Sequence, residues 1–360
     1  MSKRSRSVFS TLDGLRGLAA LAVMARHAPD HTFLNLLPGS ALAVDLFFVL
    51  SGFVLAHSYT ERLRGGMGAM AFMRVRFIRL YPLYILGTAL VAANLALVAH
   101  FDYHAWFHLI GSAVFAGLFL PTPPGISPDA HPFPLNFPAW SLFFELVINY
   151  VFALLLPRLN NRLLAGVILI GLAMLIVTGV HFGGLNTGVV FSNFWGGGGR
   201  VVFSFFAGVA VYRFWQSGHF TWIAFPAPVA LAILVTVFVA EPINEPAIYD
   251  LFATIIVFPI LVLAAARKEP AGFFVGICEQ LGLASYAIYV MQVPVIKWYT
   301  WMSYRFFGHG PADFGLAGTI SVMVVVTALA LFLDKSYDPK ARDMLSSLFQ
   351  PKEPASSSKI

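Results

Sequence analysis

Apolar residues run along this chain in long blocks, without the alternation of a half-buried strand or the narrow stripe of a surface helix. The blocks fall at about 9–29, 40–59, 82–100, 106–120, 138–157, 162–181, 200–215, 222–240, 247–266, 280–300 and 313–334. Most approach or reach the ~20 residues that carry a helix across the hydrocarbon core of a bilayer. Short polar, Gly- and Pro-bearing segments separate them. The pattern predicts an all-α polytopic transmembrane bundle.

Charge decides which blocks cross. Lys3, Arg4 and Arg6 place the N-terminus in the cytoplasm under the positive-inside rule. The segment after the second block carries Arg62, Arg64, Arg74, Arg76 and Arg79, the densest basic run in the chain. If every block crossed, Arg158, Arg162, Arg267 and Lys268 would all lie outside. If 106–120 stays in one leaflet, those residues and the tail with Lys335, Lys340 and Arg342 fall inside. The expectation is ten spans, both termini cytoplasmic, and 106–120 as a re-entrant or interfacial helix. Residues 1–7 form a cytoplasmic tail, 8–334 the transmembrane domain and 335–360 a disordered cytoplasmic tail.

Composition narrows the class. Of the 360 residues 58% are hydrophobic and 11% charged, against about 25% charged in soluble domains. The net charge of +6 comes from residues at the ends of apolar blocks and gives no reason to expect nucleic acid. The single cysteine, Cys278, excludes an internal disulfide.

Chemistry is confined to a few positions. Arg16 and His27 are eleven residues apart in the first block, on one helix face and about 16 Å apart along the axis. A charge within a span is costly and marks a functional candidate; Asp13, three residues before Arg16, offers it a structural partner. Asp45 near the outer end of the second span needs a partner, and Ser51 and Gly52 suit helix packing. Arg76 and Arg79 are helical neighbours able to grip phosphate, or plain topological signals. Ser141 and Glu145 share a face beyond Trp140, with Glu145 placed to orient His27, bond a hydroxyl or pair with an arginine. Ser285, Tyr289 and Gln292 share a face in the ninth span. His100, His104 and His108 repeat every four residues, but the aromatics among them favour a membrane interface over a metal site. No metal is expected.

Together and in this order the motifs resemble the acyltransferase 3 family of integral-membrane O-acyltransferases. The matching features are Arg16 with His27 after ten intervening residues, the run Val44 to Phe53, Arg76–Arg79–Tyr81–Pro82, Trp140–Ser141–Leu142 with Glu145, and Ser285–Tyr286 with Tyr289. Gln292 stands where the family often has a histidine. The resemblance spans about 8–334, with no appended SGNH-type domain in view. It implies transfer of an acyl group, by default acetyl, from cytoplasmic acyl-CoA to a hydroxyl of a cell-surface or lipid-linked carbohydrate, in a bacterial inner membrane. His27, Glu145 and Arg16 are then the catalytic candidates, with Arg16 facing the developing oxyanion. Arg76, Arg79 and Arg74 are the candidates for CoA phosphates, and Asp45, Ser141, Trp140, Ser285 and Tyr289 for substrate. A transporter or flippase for a polar lipid or sugar is the competing class. It too needs buried charge along a path, although no internal repeat supports it.

Overall fold

A computed structural model describes residues 9–30, 32–98, 103–219, 221–242 and 246–349. Every apolar block forms a helix, and no strand occurs among the described residues. The main helices are α1 (Ser10–Arg26), α2 (Ala43–Arg64), α3 (Ala69–Val98), α4 (Tyr103–Gly117), α5 (Ala139–Leu155), α6 (Asn161–Phe182), α7 (Phe194–Gln216), α8 (Ala227–Val239), α9 (Pro246–Ala266), α10 (Phe273–Phe307), α11 (Gly315–Ser336) and α12 (Asp338–Leu348). Among the described residues eight helical segments are long and apolar enough to span a bilayer. They contain α2, α3, α5, α6, α7, α9, α10 and α11.

Packing directions fix what the short helices do. Arg76 meets Glu145 and Phe72 meets Phe152, so α3 and α5 run antiparallel. One helix crossing between them would make them parallel, so α4 does not cross. At 15 residues it is about 22 Å long, short of the roughly 30 Å core. Its C-terminal end is tied down by Tyr84 and Tyr81, whose hydroxyls donate to the carbonyls of Ala116 and Gly117 at 3.0 and 2.9 Å. The Tyr-Pro motif thus has a structural task.

The same reasoning brings α8 across. Asp45 meets Arg200 and Gly52 packs on Phe205, which makes α2 and α7 parallel. Trp215 at the end of α7 donates to the carbonyl of Ala266 at the end of α9, so these two are parallel as well. Only a crossing by α8 permits that, although α8 has 13 residues. Among the described residues the helix directions are those of ten crossings, counting α8 and the 17-residue α1.

Glycines set the closest contacts. A Cβ at Gly17 would lie 2.5 Å from the Leu281 carbonyl oxygen, and one at Gly282 would lie 2.4 Å from the Asp13 Cβ. The α1 and α10 backbones therefore approach closely and in parallel. At Gly52 and Gly208, a Cβ would strike the Phe205 and Val49 carbonyl oxygens at 1.9 and 2.1 Å. These two seams hold α1, α2, α7 and α10 as the centre of the bundle.

The tail departs from expectation. Instead of disorder from residue 335, α11 continues to Ser336 and α12 follows, with Asp338 buried. Polar composition suggested disorder, but an amphipathic helix with an apolar edge on α3 is ordered by packing. Residues 350–360 and His100 lie outside the described residues.

Candidate functional site

Two polar clusters occupy the bundle, one at each end of the α1–α10 seam. The first is built around His27, which follows the last residue of α1. Its Nδ1 lies 3.2 Å from Gln292 Oε1, and the ring packs edge-on to Phe137 at 4.8 Å. Gln292 Nε2 donates to the Tyr289 carbonyl at 2.9 Å, which turns the Gln292 carbonyl oxygen toward the imidazole. With that oxygen accepting, a proton on Nδ1 leaves Nε2 of His27 free. Gln292, standing where the resembled family often has histidine, is the side chain in contact with His27 Nδ1.

Around His27 lies a small cavity of about 40 Å³, lined among others by Arg26, Ser40, Phe137, Trp140, Arg200 and Tyr289. The Ser141 and Tyr289 hydroxyls are 2.7 Å apart, and both reach the Pro138 carbonyl. Pro138 immediately precedes α5, so the loop before α5 is clamped to α10 beside the cavity. Arg200 is 1% exposed and grips Asp45 through Nε at 3.1 Å and Nη2 at 2.6 Å. Its remaining donors reach the Thr187 and Ala41 carbonyls, and its guanidinium lies 5.3 Å from the Trp140 ring centre. Asp45, expected to touch substrate, is fully buried and occupied by Arg200. The pair shapes the cavity wall.

The second cluster lies about two turns along α10 from Gln292. Arg16 Nε donates to Ser285 Oγ at 2.9 Å, and Nη2 to the Gly282 carbonyl at 3.0 Å. Asp13 pairs with Nη2 at 2.7 Å. This moves Arg16 away from the role expected for it. An arginine held at Ser285 is too far from His27 to meet an oxyanion there. Arg26 and Arg200 are the cations that line the His27 cavity. Ser285 likewise holds Arg16 and does not line that cavity.

Glu145 is also reassigned. Its Oε1 accepts from Arg76 Nη2 at 2.7 Å and from Ser51 Oγ at 3.1 Å. It does not touch His27, whose side-chain contact is Gln292. Arg76 and Arg79 were expected to act as one phosphate grip. They divide at the bundle edge, because a three-residue step turns the side chain by 60°. Arg76 is buried on Glu145, whereas Arg79 and Arg74 are exposed. Arg79 and Glu145 both lie within electrostatic reach of Arg16. The cluster at this end thus combines Asp13, Arg16, Arg76, Arg79, Glu145 and Ser285.

Some functional candidates escaped the sequence. Arg26 had no signal beyond being a charge at a helix end. Arg200 was visible as a charge inside an apolar block, but its partner was not. His108, in the decoy stripe, faces the Ile126 carbonyl at 2.7 Å.

Comparison with known proteins adds the chemistry. A family model described as an acyltransferase domain, that of the acyltransferase 3 family, matches residues 9–333. The chain is 39% identical over 194 residues to "Protein 2 in picA locus" of Rhizobium radiobacter, covering 51% of this chain and all of that protein. It is 32% identical over 158 residues to "Acyltransferase MdmB" of Streptomyces mycarofaciens, covering 40% of this chain and 38% of that one. No solved structure matches.

Proposed function

The chain belongs to the acyltransferase 3 family, and we propose that this enzyme moves an acyl group, by default acetyl, from cytoplasmic acyl-CoA to a carbohydrate hydroxyl at the outer face of a bacterial inner membrane. The observation that carries the reading is the His27–Gln292 contact at the cavity. It places a histidine, held at Nδ1 by Gln292, beside a small cavity. An imidazole within reach of an acceptor hydroxyl is the commonest general base.

In this reading CoA docks at the opposite end. Arg79 and Arg74 meet its phosphates, and the acyl-pantetheine arm reaches into the bundle from that end toward His27. Arg76 stays on Glu145. The acceptor hydroxyl enters the His27 cavity beside Tyr289, Ser141 and Trp140. His27 Nε2 takes the hydroxyl proton as the oxygen attacks the thioester carbonyl. The C–S bond then breaks, the ester forms and the proton passes to the departing CoA thiolate. Arg26, lining the same cavity, faces the charge that develops on the carbonyl oxygen.

The named acyltransferase among the relatives supports acyl transfer. The carbohydrate acceptor and the acyl-CoA donor rest on the family resemblance and on the placement of cations at one end and the histidine at the other. The test is an acyl-transfer assay in membranes with labelled acetyl-CoA and cell-envelope glycans. His27→Ala should lower transfer by about 100-fold or more, the usual weight of a general base. Near-normal transfer by a folded His27→Ala protein would remove His27 from the mechanism.

A further inference from the structure

The C-terminal helix α12 is held against the bundle at several points. Tyr337, just before it, donates its hydroxyl to the Pro82 carbonyl at 3.4 Å. At its far end Arg74 Nη1 donates to the Phe349 carbonyl at 3.2 Å and lies 5.5 Å from the Phe349 ring centre. Between these, Arg342 pairs with the buried Asp338 one turn earlier. Arg342 keeps a third of its side chain exposed, and its Nε is without a partner. The α12 helix therefore lies beside the stretch of α3 that carries Arg74 and Arg79.

The surroundings of Asp338 show how the cations converge. Burial raises its carboxyl above the ordinary carboxylate range, and Arg342 and then Arg79 oppose that shift. Arg342 on α12 pairs with Asp338, and Arg79 on α3 lies within electrostatic reach of the same acid. Tyr286 on α10 lies within reach of the same Asp338, Arg342 and Arg79, and of Glu145. Lys335 and Lys340 are exposed at this end. The acids here are Asp334 and Asp338, with Asp343 on the exposed side of α12.

We propose that α12 forms one wall of the donor site, and that Arg342 joins Arg74 and Arg79 in binding the phosphates of an adenosine 3′-phosphate 5′-diphosphate group. Three guanidinium groups from two packed helices offer fork-shaped donors suited to a polyphosphate. Asp338 pairs with Arg342, and the Phe349 carbonyl accepts from Arg74. Donor binding competes for both. The proposal rests on the acyl-CoA reading and adds Arg342 and α12 to it.

Calorimetric binding to the full-length protein in lipid nanodiscs tests the idea, with CoA, dephospho-CoA and S-acetylpantetheine as ligands. Arg342→Gln should weaken CoA binding by about tenfold. It should weaken dephospho-CoA less and leave S-acetylpantetheine unchanged. Asp338→Asn, which frees Arg342, should bind CoA at least as tightly as the natural protein. Equal CoA affinity in the natural protein and Arg342→Gln overturns the proposal while leaving the donor reading intact. So does an Arg342→Gln loss that is equal for S-acetylpantetheine, which marks a structural effect. A natural protein that binds S-acetylpantetheine but gains nothing from the phosphates overturns the cation site, and one that binds none of the three overturns the donor reading with it.

Discussion

At the residue scale the decisive contact is between Gln292 and His27. Gln292→Ala should lower kcat by about tenfold with little change in KM, because it frees the imidazole without touching the acceptor; steady-state kinetics with a defined acceptor separates the two. Loss of KM alone would place Gln292 in acceptor binding. The buried ion pairs make a second prediction. Asp45→Asn leaves Arg200 buried without its counter-charge, a change that costs about 3–5 kcal/mol in buried pairs. It should lower the thermal midpoint of the purified protein markedly, and an unchanged midpoint would contradict a closed Asp45–Arg200 pair. The sequence made His27, Arg16, Asp45 and Glu145 legible as costly polar residues in apolar blocks. It could not assign their partners, which come from helices far apart in the chain. Periodicity along one helix carries no information about which neighbour it faces. Hence of the readings open to Glu145 the arginine pair is the one observed, with Arg76 as partner, and Arg16 lies two turns from His27 along α10.

At the element scale, glycine contacts control helix spacing. Gly52→Leu would drive a side chain into the Phe205 backbone, where even a Cβ falls 1.9 Å from the carbonyl oxygen. It should abolish the monodisperse peak on size-exclusion chromatography, whereas Gly166→Leu, with nothing within 4 Å of a Cβ, should be tolerated. The apolar blocks and the non-crossing α4 were readable from length and charge, since both follow from the thickness of the bilayer and the position of basic residues. Helix α12 was not. Its sequence is polar enough to read as solvated, and only the fit of Tyr337 and Asp338 on the bundle orders it.

At the scale of the whole molecule, the parallel α1 and α10 form an axis. His27 lies at one end of it and the arginines of α1, α3 and α12 lie at the other. In the proposed function the acceptor binds at the first end and the donor at the second, and directional acyl transfer depends on His27. The most direct measurement uses inside-out membrane vesicles with labelled acetyl-CoA supplied from the cytoplasmic side. The label recovered in envelope glycan is compared between the natural protein and His27→Ala at equal folded amounts. The account predicts label in the glycan with the natural protein and a drop of about 100-fold or more with His27→Ala. Equal labelling by the two proteins, or no consumption of acetyl-CoA by either, would contradict it.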